Sequence, residues 1–306
     1  MRTIVALVGA TATGKTDLAE ALAGAIGGDV VCADSRQVFR ELEIGTGKPT
    51  PVQRAARPHH LFDALSLGAH ASAGWYARAA GETCEALLAR GTTPVLVGGS
   101  GLYLRALMHG LHAQPPRDEA IRDRLQAELA ERGSEAMHAR LALVDAETAG
   151  RVHPGDPQRV LRALEVFESS GRAQSSWHAR ATREGLAADW RVLELTSLPR
   201  ELSIRIERRT HAMFETGLIE ETRALLAAGH REPLEALHAI GYDEAMAVLA
   251  GTLDRAAAEE RTSQRTRQLA KRQRTWFRHQ VEAARLASDG RDAAELLVGA
   301  RGLLGL

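Results

Sequence analysis

Over the first third of the chain, apolar positions fall in short unbroken runs rather than in strict alternation. Residues 3–8 (TIVALV) are β-branched or apolar almost throughout, the composition of a strand covered on both faces. They run into a glycine-rich stretch, after which residues 17–26 have helical composition. Residues 29–33 read as a second strand ending at Asp34-Ser35-Arg36-Gln37, residues 73–90 as a helix, and residues 94–97 as a third strand ending at Gly98-Gly99-Ser100-Gly101. Short strands separated by helices predict a parallel α/β sheet, in which ligands sit at the carboxyl ends of the strands. All three polar clusters fall at such ends.

The pattern changes near Pro115-Pro116. From there to about Ala181 the chain predicts charged amphipathic helices, over 118–132 and 157–169, and no strand. Residues 190–195 return to strand character, with Val192, Leu193 and Leu195 apolar. Everything after Pro199 reads as helical, with breaks near Gly217, Gly229 and Gly241. The expected organisation is an α/β core of residues 1–115 and 188–306 with C-terminal helices, interrupted by a helical insertion over 116–187.

Composition adds little to the fold and more to the setting. With 44% apolar and 4% aromatic residues in 306, Leu, Ala and Val must fill the core. Two cysteines, Cys32 and Cys84, make neither a disulfide framework nor a zinc spacing, so a reducing, cytoplasmic setting is expected. The apolar start MRTIVALVGA leads straight into the glycine-rich stretch and reads as a buried first strand rather than a signal peptide. No segment approaches the roughly 20 apolar residues of a membrane span. Basic and acidic residues balance at 39 each, but residues 261–278 hold seven Lys or Arg and no Asp or Glu. A concentrated basic face binds phosphates locally even on a neutral protein, because screening confines its field to roughly 8 to 10 Å.

Gly9-Ala10-Thr11-Ala12-Thr13-Gly14-Lys15-Thr16 matches G-x-x-x-x-G-K-[ST], with a strand before it and a helix after it. Its amides form an anion nest at a helix N-terminus; Lys15 would meet the terminal phosphate and the Thr16 hydroxyl would bind Mg²⁺. Nucleotide-binding proteins that take ATP share this motif, which predicts a diphosphate or triphosphate site without naming the ligand. The core is therefore expected to be P-loop NTPase-like. Asp34, at the end of the second strand, would ligate magnesium, accept a proton, or merely cap the next turn. In Gly98-Gly99-Ser100-Gly101-Leu102-Tyr103 the glycines allow either close approach of a ligand or a tight turn, and Ser100 offers a hydroxyl.

Further along, Asp156 and Pro157 suit a helix start. Arg159 and Arg162 then share a face that would grip phosphates, lie solvated, or pair with Glu165. The arginines of Ser203-Ile204-Arg205-Ile206-Glu207-Arg208-Arg209 either stabilise a departing phosphate or belong to a salt-bridged helix. In the 266–278 stretch Trp276 and Phe277 are expected to be buried and the basic residues to face RNA. His59-His60 and His109/His112 have no cysteine partner and no H-E-x-x-H, so no metal site is expected there. No nucleophile elbow is present.

Together these segments resemble the tRNA dimethylallyltransferases (tRNA isopentenylpyrophosphate transferases) over nearly the whole chain. The likeness adds Pro58-His59-His60-Leu61 with Asp63, Arg205-Ile206 with Arg209, Ile240-Gly241-Tyr242, and Ala270-Lys271-Arg272-Gln273 with Trp276. It implies transfer of dimethylallyl from its diphosphate to N6 of the adenosine 3′ to the anticodon of tRNA, with Mg²⁺. Gly9, Ala10, Thr11, Ala12, Thr13, Gly14, Lys15 and Thr16 would then hold the donor diphosphate rather than ATP, with Thr16 as the metal ligand. Lys15, Asp34 and Ser100 would be catalytic: Asp34 takes the proton of the attacking amine and Ser100 hydrogen-bonds the reacting groups. Arg205 would neutralise the leaving diphosphate. Contacts to the tRNA anticodon stem-loop are implied for Asp34, Ser35, Arg36, Gln37, Ser100, Arg122, Gln158, Arg159, Val160, Leu161, Arg162, Lys271 and Arg272, with the helical insertion clamping the loop.

The chain departs from the family at Ala10 (usually Pro), Thr13 (usually Ser), Ser100 (commonly Thr) and Phe39 (often Tyr). The first two leave every backbone donor in place and Ser100 keeps the hydroxyl; only a role for the tyrosine hydroxyl is lost. Two other enzymes share parts of this pattern. A P-loop small-molecule kinase would turn over ATP and has no need of the basic 261–278 stretch, and an enzyme prenylating free AMP or ADP would have reduced tRNA-gripping segments. A non-catalytic RNA-binding module with a relic P-loop is disfavoured by intact Lys15, Thr16 and Asp34. A monomer is expected, with no membrane association.

Overall fold

The computed structural model describes residues 2–112, 114–115, 117–178 and 184–306. Pro116 and Ala181, used above as markers, lie outside the described residues. Contacts divide the chain into two compact units, Met1–Met108 with Leu186–Leu306, and His109–Gly185. The expected edges were 115/116 and 187/188.

The first unit is a six-stranded, wholly parallel sheet with helices on both faces. Its first half comprises β1 (Thr3–Val8), α1 (Lys15–Ile26), β2 (Gly28–Cys32), α2 (Pro51–Ala56), β3 (His59–His60), α3 (Ala73–Ala89), β4 (Thr93–Gly98) and α4 (Gly101–His109). The second unit holds α5 (Glu119–Val144), α6 (Ala146–Arg151), α7 (Pro157–Ser170) and α8 (Gln174–His178). The chain then returns to the sheet through β5 (Asp189–Thr196), α9 (Pro199–Glu215), α10 (Leu218–Ala227), α11 (Arg231–Leu237), α12 (Tyr242–Leu249), α13 (Arg255–Gln280), β6 (Ala284–Ala287) and α14 (Ala293–Leu304). The strand order is β3-β2-β4-β1-β5-β6. This is a P-loop-type α/β fold, as the first strands and the glycine-rich motif predict.

Successive strand residues point to opposite faces, and both faces are covered. On β1, Val5 and Leu7 join one hydrophobic cluster while Ile4, Ala6 and Val8 join the other. Leu193 and Leu195 against Val192 on β5 repeat the division, as do Val95 and Val97 against Leu96 on β4. Two apolar faces produce the unbroken runs seen in the sequence. Cys32 and Cys84 are free and buried.

One expectation needs correcting. The chain after Pro199 is not wholly helical: Ala284–Ala287 forms β6, paired in parallel with β5 from Leu193↔Ala284 to Thr196↔Ala287. Leu286 is its one buried side chain, and Arg285 interrupts the apolar pattern, so only the tertiary partner reveals the strand. No helix of the described residues is long and apolar enough to cross a membrane.

In the helical unit, Leu125, Met137, Leu141, Val160, Leu161 and Leu164 form the core. α5 breaks at Gly133, whose φ of 80° is left-handed. Asp156 caps α7 by accepting the Arg159 N–H, and Pro157 occupies its first turn. Glu165 is fully buried on α7 and gathers Arg122 at 3.2 Å, Arg162 at 2.8 Å and the Asp118 N–H at 3.1 Å. Removing a partner from a buried pair leaves the other charges uncompensated. Glu165→Ala is therefore expected to lower stability by about 3 kcal/mol, read as an earlier midpoint in equilibrium urea unfolding, with Glu165→Gln losing less.

Candidate active site

The phosphate loop leaves the sheet at the carboxyl end of β1. Gly9 has φ 138°, and a Cβ there would stand 2.4 Å from the Leu195 carbonyl oxygen, so only glycine lets β1 and β5 pair to their ends. Gly14, at φ 90°, turns the chain into α1. The Thr13 hydroxyl donates to the Ala10 carbonyl at 2.9 Å and Lys15 Nζ to the same oxygen at 2.5 Å, which closes the loop on itself.

A cavity of about 680 Å³ opens beside this loop. Lys15, Lys48, Arg205, Arg208, Arg209 and Arg291 line it, against the carboxylates of Asp17 and Asp34. Six cations facing two anions make a site for a multiply charged anion. Desolvation pulls the Lys15 ammonium down to about 8, opposed by the attraction of Asp34 and assisted by the repulsion of Arg209.

Asp34 lies in this cavity at the end of β2. Its Oδ1 accepts the Arg36 N–H at 2.9 Å, so one oxygen steadies the turn. The Ser100 hydroxyl oxygen accepts the Ser35 N–H at 2.9 Å, which leaves its own proton to donate. Gln37 lines the cavity and donates to the carbonyls of Thr46 and Gly47 at 3.0 and 3.1 Å. Arg36 turns away onto the Leu237 carbonyl at 2.9 Å, and burial lowers its pKa.

The arginines of α9 divide the work. Arg205 donates to the Ser288 hydroxyl at 2.8 Å and pairs with Asp289 at 3.2 Å, so part of its charge is already met. Arg209 is half-buried and donates to the Thr11 hydroxyl and the Thr46 carbonyl, both at 3.1 Å. Desolvation lowers its pKa while Asp34 raises it, and no carboxylate pairs with it among the described residues. The sequence offered the arginines of this segment for the phosphate, and the family resemblance singled out Arg205 rather than Arg209.

Gln273 of α13 was also missed. Its Oε1 accepts the Thr11 N–H at 2.9 Å and its Nε2 donates to the Gly99 carbonyl at 3.0 Å, so one amide ties the phosphate loop to the loop after β4. The glycines of that loop make room for neighbours within the protein. A Cβ on Gly98 would lie 2.1 Å from the Ala33 carbonyl oxygen, one on Gly99 2.2 Å from Gln273 Nε2, and one on Gly101 2.1 Å from the Trp276 ring.

The turn around Thr46 and Gly47 is fixed from behind. Glu221 of α10 accepts the N–H groups of Glu43 and Ile44 at 2.9 and 2.8 Å and the Tyr242 hydroxyl at 2.5 Å. Lys48 is buried and donates to the Phe39 carbonyl at 2.7 Å while pairing with Glu43 and Asp63. No local spacing marks these residues.

The expected RNA-facing residues are spread over both units. In the helical unit Gln158 and Arg159 are exposed, and Arg159 pairs with Asp156 at 3.3 Å. Arg122 and Arg162 are tied to Glu165, the pairing left open above for Arg162. The side chains of Val160 and Leu161 are buried in the unit's core. On α13, Lys271 and Arg272 are exposed and have no ion pair among the described residues, Phe277 is buried, and Trp276 is only half-buried. His211, Glu215 and the half-buried Glu259 have metal-like spacing, but Arg255 pairs with both glutamates and supplies the positive charge there.

The model of the family described as IPP transferase matches residues 37–280, and that described as isopentenyl transferase matches residues 2–61. Over 275 residues the chain is 43% identical to the tRNA dimethylallyltransferase of Geobacter sulfurreducens, covering 90% of this chain and 88% of that protein. Among solved structures, the full-length tRNA isopentenylpyrophosphate transferase of Bacillus halodurans matches with a TM-score of 0.71 at 32% identity, over 100% of this chain and 97% of that one. A eukaryotic dimethylallyltransferase, captured in crystallographic snapshots acting on tRNA, matches with a TM-score of 0.79 at 25% identity, over 95% of this chain and 75% of that one. By sequence over most of its length and by fold, this chain belongs to the IPP transferase family, the family of the tRNA dimethylallyltransferases.

Proposed function

We propose that the protein transfers a dimethylallyl group from dimethylallyl diphosphate to N6 of the adenosine 3′ to the anticodon of tRNA and releases diphosphate. The observation that carries this reading is the phosphate-loop cavity, where Lys15 and the unpaired Arg209 face Asp34 across a site with an excess of cations. The family relation supplies the substrate class.

An exocyclic adenine amine is a weak nucleophile, so the reaction depends on the leaving group. As N6 bonds to the allylic carbon, the carbon–oxygen bond breaks and its electron pair stays on the diphosphate. Lys15, Arg209 and the loop amides stabilise that charge. Asp34 takes the N6 proton, and the Ser100 hydroxyl donates to the reacting groups. Mg²⁺ would suit the loop: Thr16 lines the cavity, and its hydroxyl would hold the ion beside the diphosphate. Bound there, the ion would neutralise diphosphate charge. The target base must leave its stack, at a cost of a few kcal/mol that an anticodon loop reduces. Gln158, Arg159, Lys271 and Arg272 are the exposed groups suited to the RNA, with the helical unit holding the anticodon loop. The protein would act on tRNA as a monomer in the cytoplasm.

The direct test supplies Mg²⁺, labelled dimethylallyl diphosphate and an anticodon stem-loop with consecutive adenosines after the anticodon. Label is expected in RNA and not in AMP; label in AMP alone would overturn the RNA assignment. Asp34→Asn is expected to lower kcat by about a hundredfold, within the usual range for a general base, while RNA affinity stays near normal; an unchanged kcat removes Asp34 as the base.

Lys15 gives a pH dependence. Its free-enzyme pKa is about 8, and the bound diphosphate favours the charged form, so binding takes up a proton above that value. The KM for dimethylallyl diphosphate is expected to be flat below that pH and to climb above it, and Lys15→Arg should remove the break. A break that survives in Lys15→Arg assigns it to another group.

A further inference from the structure

Arg209 is held in the cavity wall by a carbonyl rather than by a carboxylate. Its Nη2 donates to the Thr46 carbonyl oxygen at 3.1 Å, and Gln37 Nε2 donates to the same oxygen at 3.0 Å. A neutral acceptor fixes the guanidinium without cancelling its charge, which stays available to an anion. The aim of the guanidinium fork then depends on where the Thr46 carbonyl points.

That carbonyl is set from a distance. Residues 44–46 form one turn of 3₁₀ helix closed on Glu43, whose carbonyl accepts the Gly47 N–H and the Thr46 hydroxyl, both at 3.1 Å. Glu221 holds the other side of the same residue: its Oε1 accepts the Glu43 N–H at 2.9 Å and its Oε2 the Ile44 N–H at 2.8 Å. The Tyr242 hydroxyl donates to Glu221 Oε1 at 2.5 Å and accepts the Gly45 N–H at 3.2 Å. Burial, with Glu221 beside it, pushes the Tyr242 phenol far up, so it stays a donor. Three successive amides at the start of the turn are thus met by one carboxylate and one phenol. Neither Glu221 nor Tyr242 lines the cavity, so their effect on a ligand must pass through the turn.

We propose that Glu221, assisted by Tyr242, is a positioning residue for the transfer reaction. By anchoring the turn it aims the Thr46 carbonyl, and through that carbonyl the Arg209 guanidinium, at the leaving diphosphate. The inference rests on the diphosphate role given to Arg209 above. Glu221→Gln probes it with little change of shape: glutamine has one acceptor oxygen, so its NH₂ must face one of the amides that Glu221 now holds.

Inorganic diphosphate with Mg²⁺ is titrated by calorimetry into the wild-type protein, Glu221→Gln, Arg209→Gln and the double variant. Arg209→Gln is expected to weaken binding by about thirtyfold and Glu221→Gln by about fivefold. If Glu221 acts through Arg209, the double variant binds no more weakly than Arg209→Gln alone, a result that general loosening of the fold would not give. A further loss in the double variant equal to that of Glu221→Gln alone, or unchanged affinity in Glu221→Gln, overturns the proposal. Tyr242→Phe keeps the ring against Gly45 and removes only the hydroxyl, and it decides the matter if Glu221→Gln does not fold. Its loss is expected to be about threefold and to vanish likewise on Arg209→Gln; unchanged affinity there is equally fatal. The two readings fail separately. Wild-type protein that binds diphosphate but transfers no label would sink the proposed function and leave the double-mutant comparison to judge Glu221. Wild-type protein that binds no diphosphate overturns both.

Discussion

The arrangement on which the site depends is an arginine taken partly out of water without a carboxylate to meet it. A guanidinium so placed is costly unless it is hydrogen-bonded and finds a counter-charge. Arg209 makes its hydrogen bonds to Thr11 and Thr46, and Asp34 is the carboxylate whose attraction it feels without pairing. The diphosphate of the proposed donor would supply the counter-charge. Arg205, four residues earlier on the same helix, is the contrast: Asp289 and Ser288 already hold it, so it frames the cavity with less charge to give. Lys15 fits the same picture, since its lowered pKa records how much its ammonium lacks when the loop closes on Ala10 alone.

Such a site works only if its walls are fixed, and here they are fixed by close approach. α13 reaches the phosphate loop because Gly99 and Gly101 have no Cβ where Gln273 and Trp276 must lie. The Gln273 amide then spends its acceptor on Thr11 and its donor on Gly99. On the opposite wall, Gly45 gives way to the Tyr242 ring, and Gly47 to the Arg209 guanidinium, which a Cβ would meet at 2.0 Å. Gly99 and Gly101, read in the sequence as room for a ligand or for a tight turn, act as spacers between their loop and α13. The effect of these glycines on the ligand is indirect, through the positions of Gln273 and Arg209.

What the sequence reveals and what it hides follow one physical line. β1, β2, β4 and β5 are legible because burial on both faces writes an unbroken apolar run, and the phosphate loop is legible because its chemistry lies in consecutive residues. β6 is hidden because it has a single buried side chain and one neighbouring strand; its ladder, not its composition, makes it a strand. Gln273, Glu221 and Lys48 are hidden for a different reason. Each acts on backbone or charge that folding brings from elsewhere, across 262 residues for Gln273 with Thr11 and 177 for Glu221 with Ile44, so no spacing rule can mark them. Arg162 shows the limit of local pattern: its helical face is visible in sequence, while buried Glu165 as the focus of Arg122, Arg162 and the Asp118 amide is visible only in three dimensions.

The basic run of α13 carries the last step. Its seven cations look alike in sequence, but folding sorts them. Arg261 and Arg265 are drawn to Glu244, with Asp243 also on Arg265, and Arg267 is held by Glu207 and Glu260. Those three arginines fasten α13 to its neighbours and have little charge left for RNA. Lys271, Arg272, Arg274 and Arg278 form the other half, and among the described residues no acid pairs with them. Lys271, Arg274 and Arg278 stand three and four residues apart, so they make one stripe, with Arg272 off to its side. A chain whose charges cancel overall thus keeps, besides the cations of the cavity, free positive charge on the C-terminal half of α13, beside the phosphate loop. With a screening length of roughly 8 to 10 Å, it is this residual stripe, and not the zero net charge, that an approaching phosphate meets.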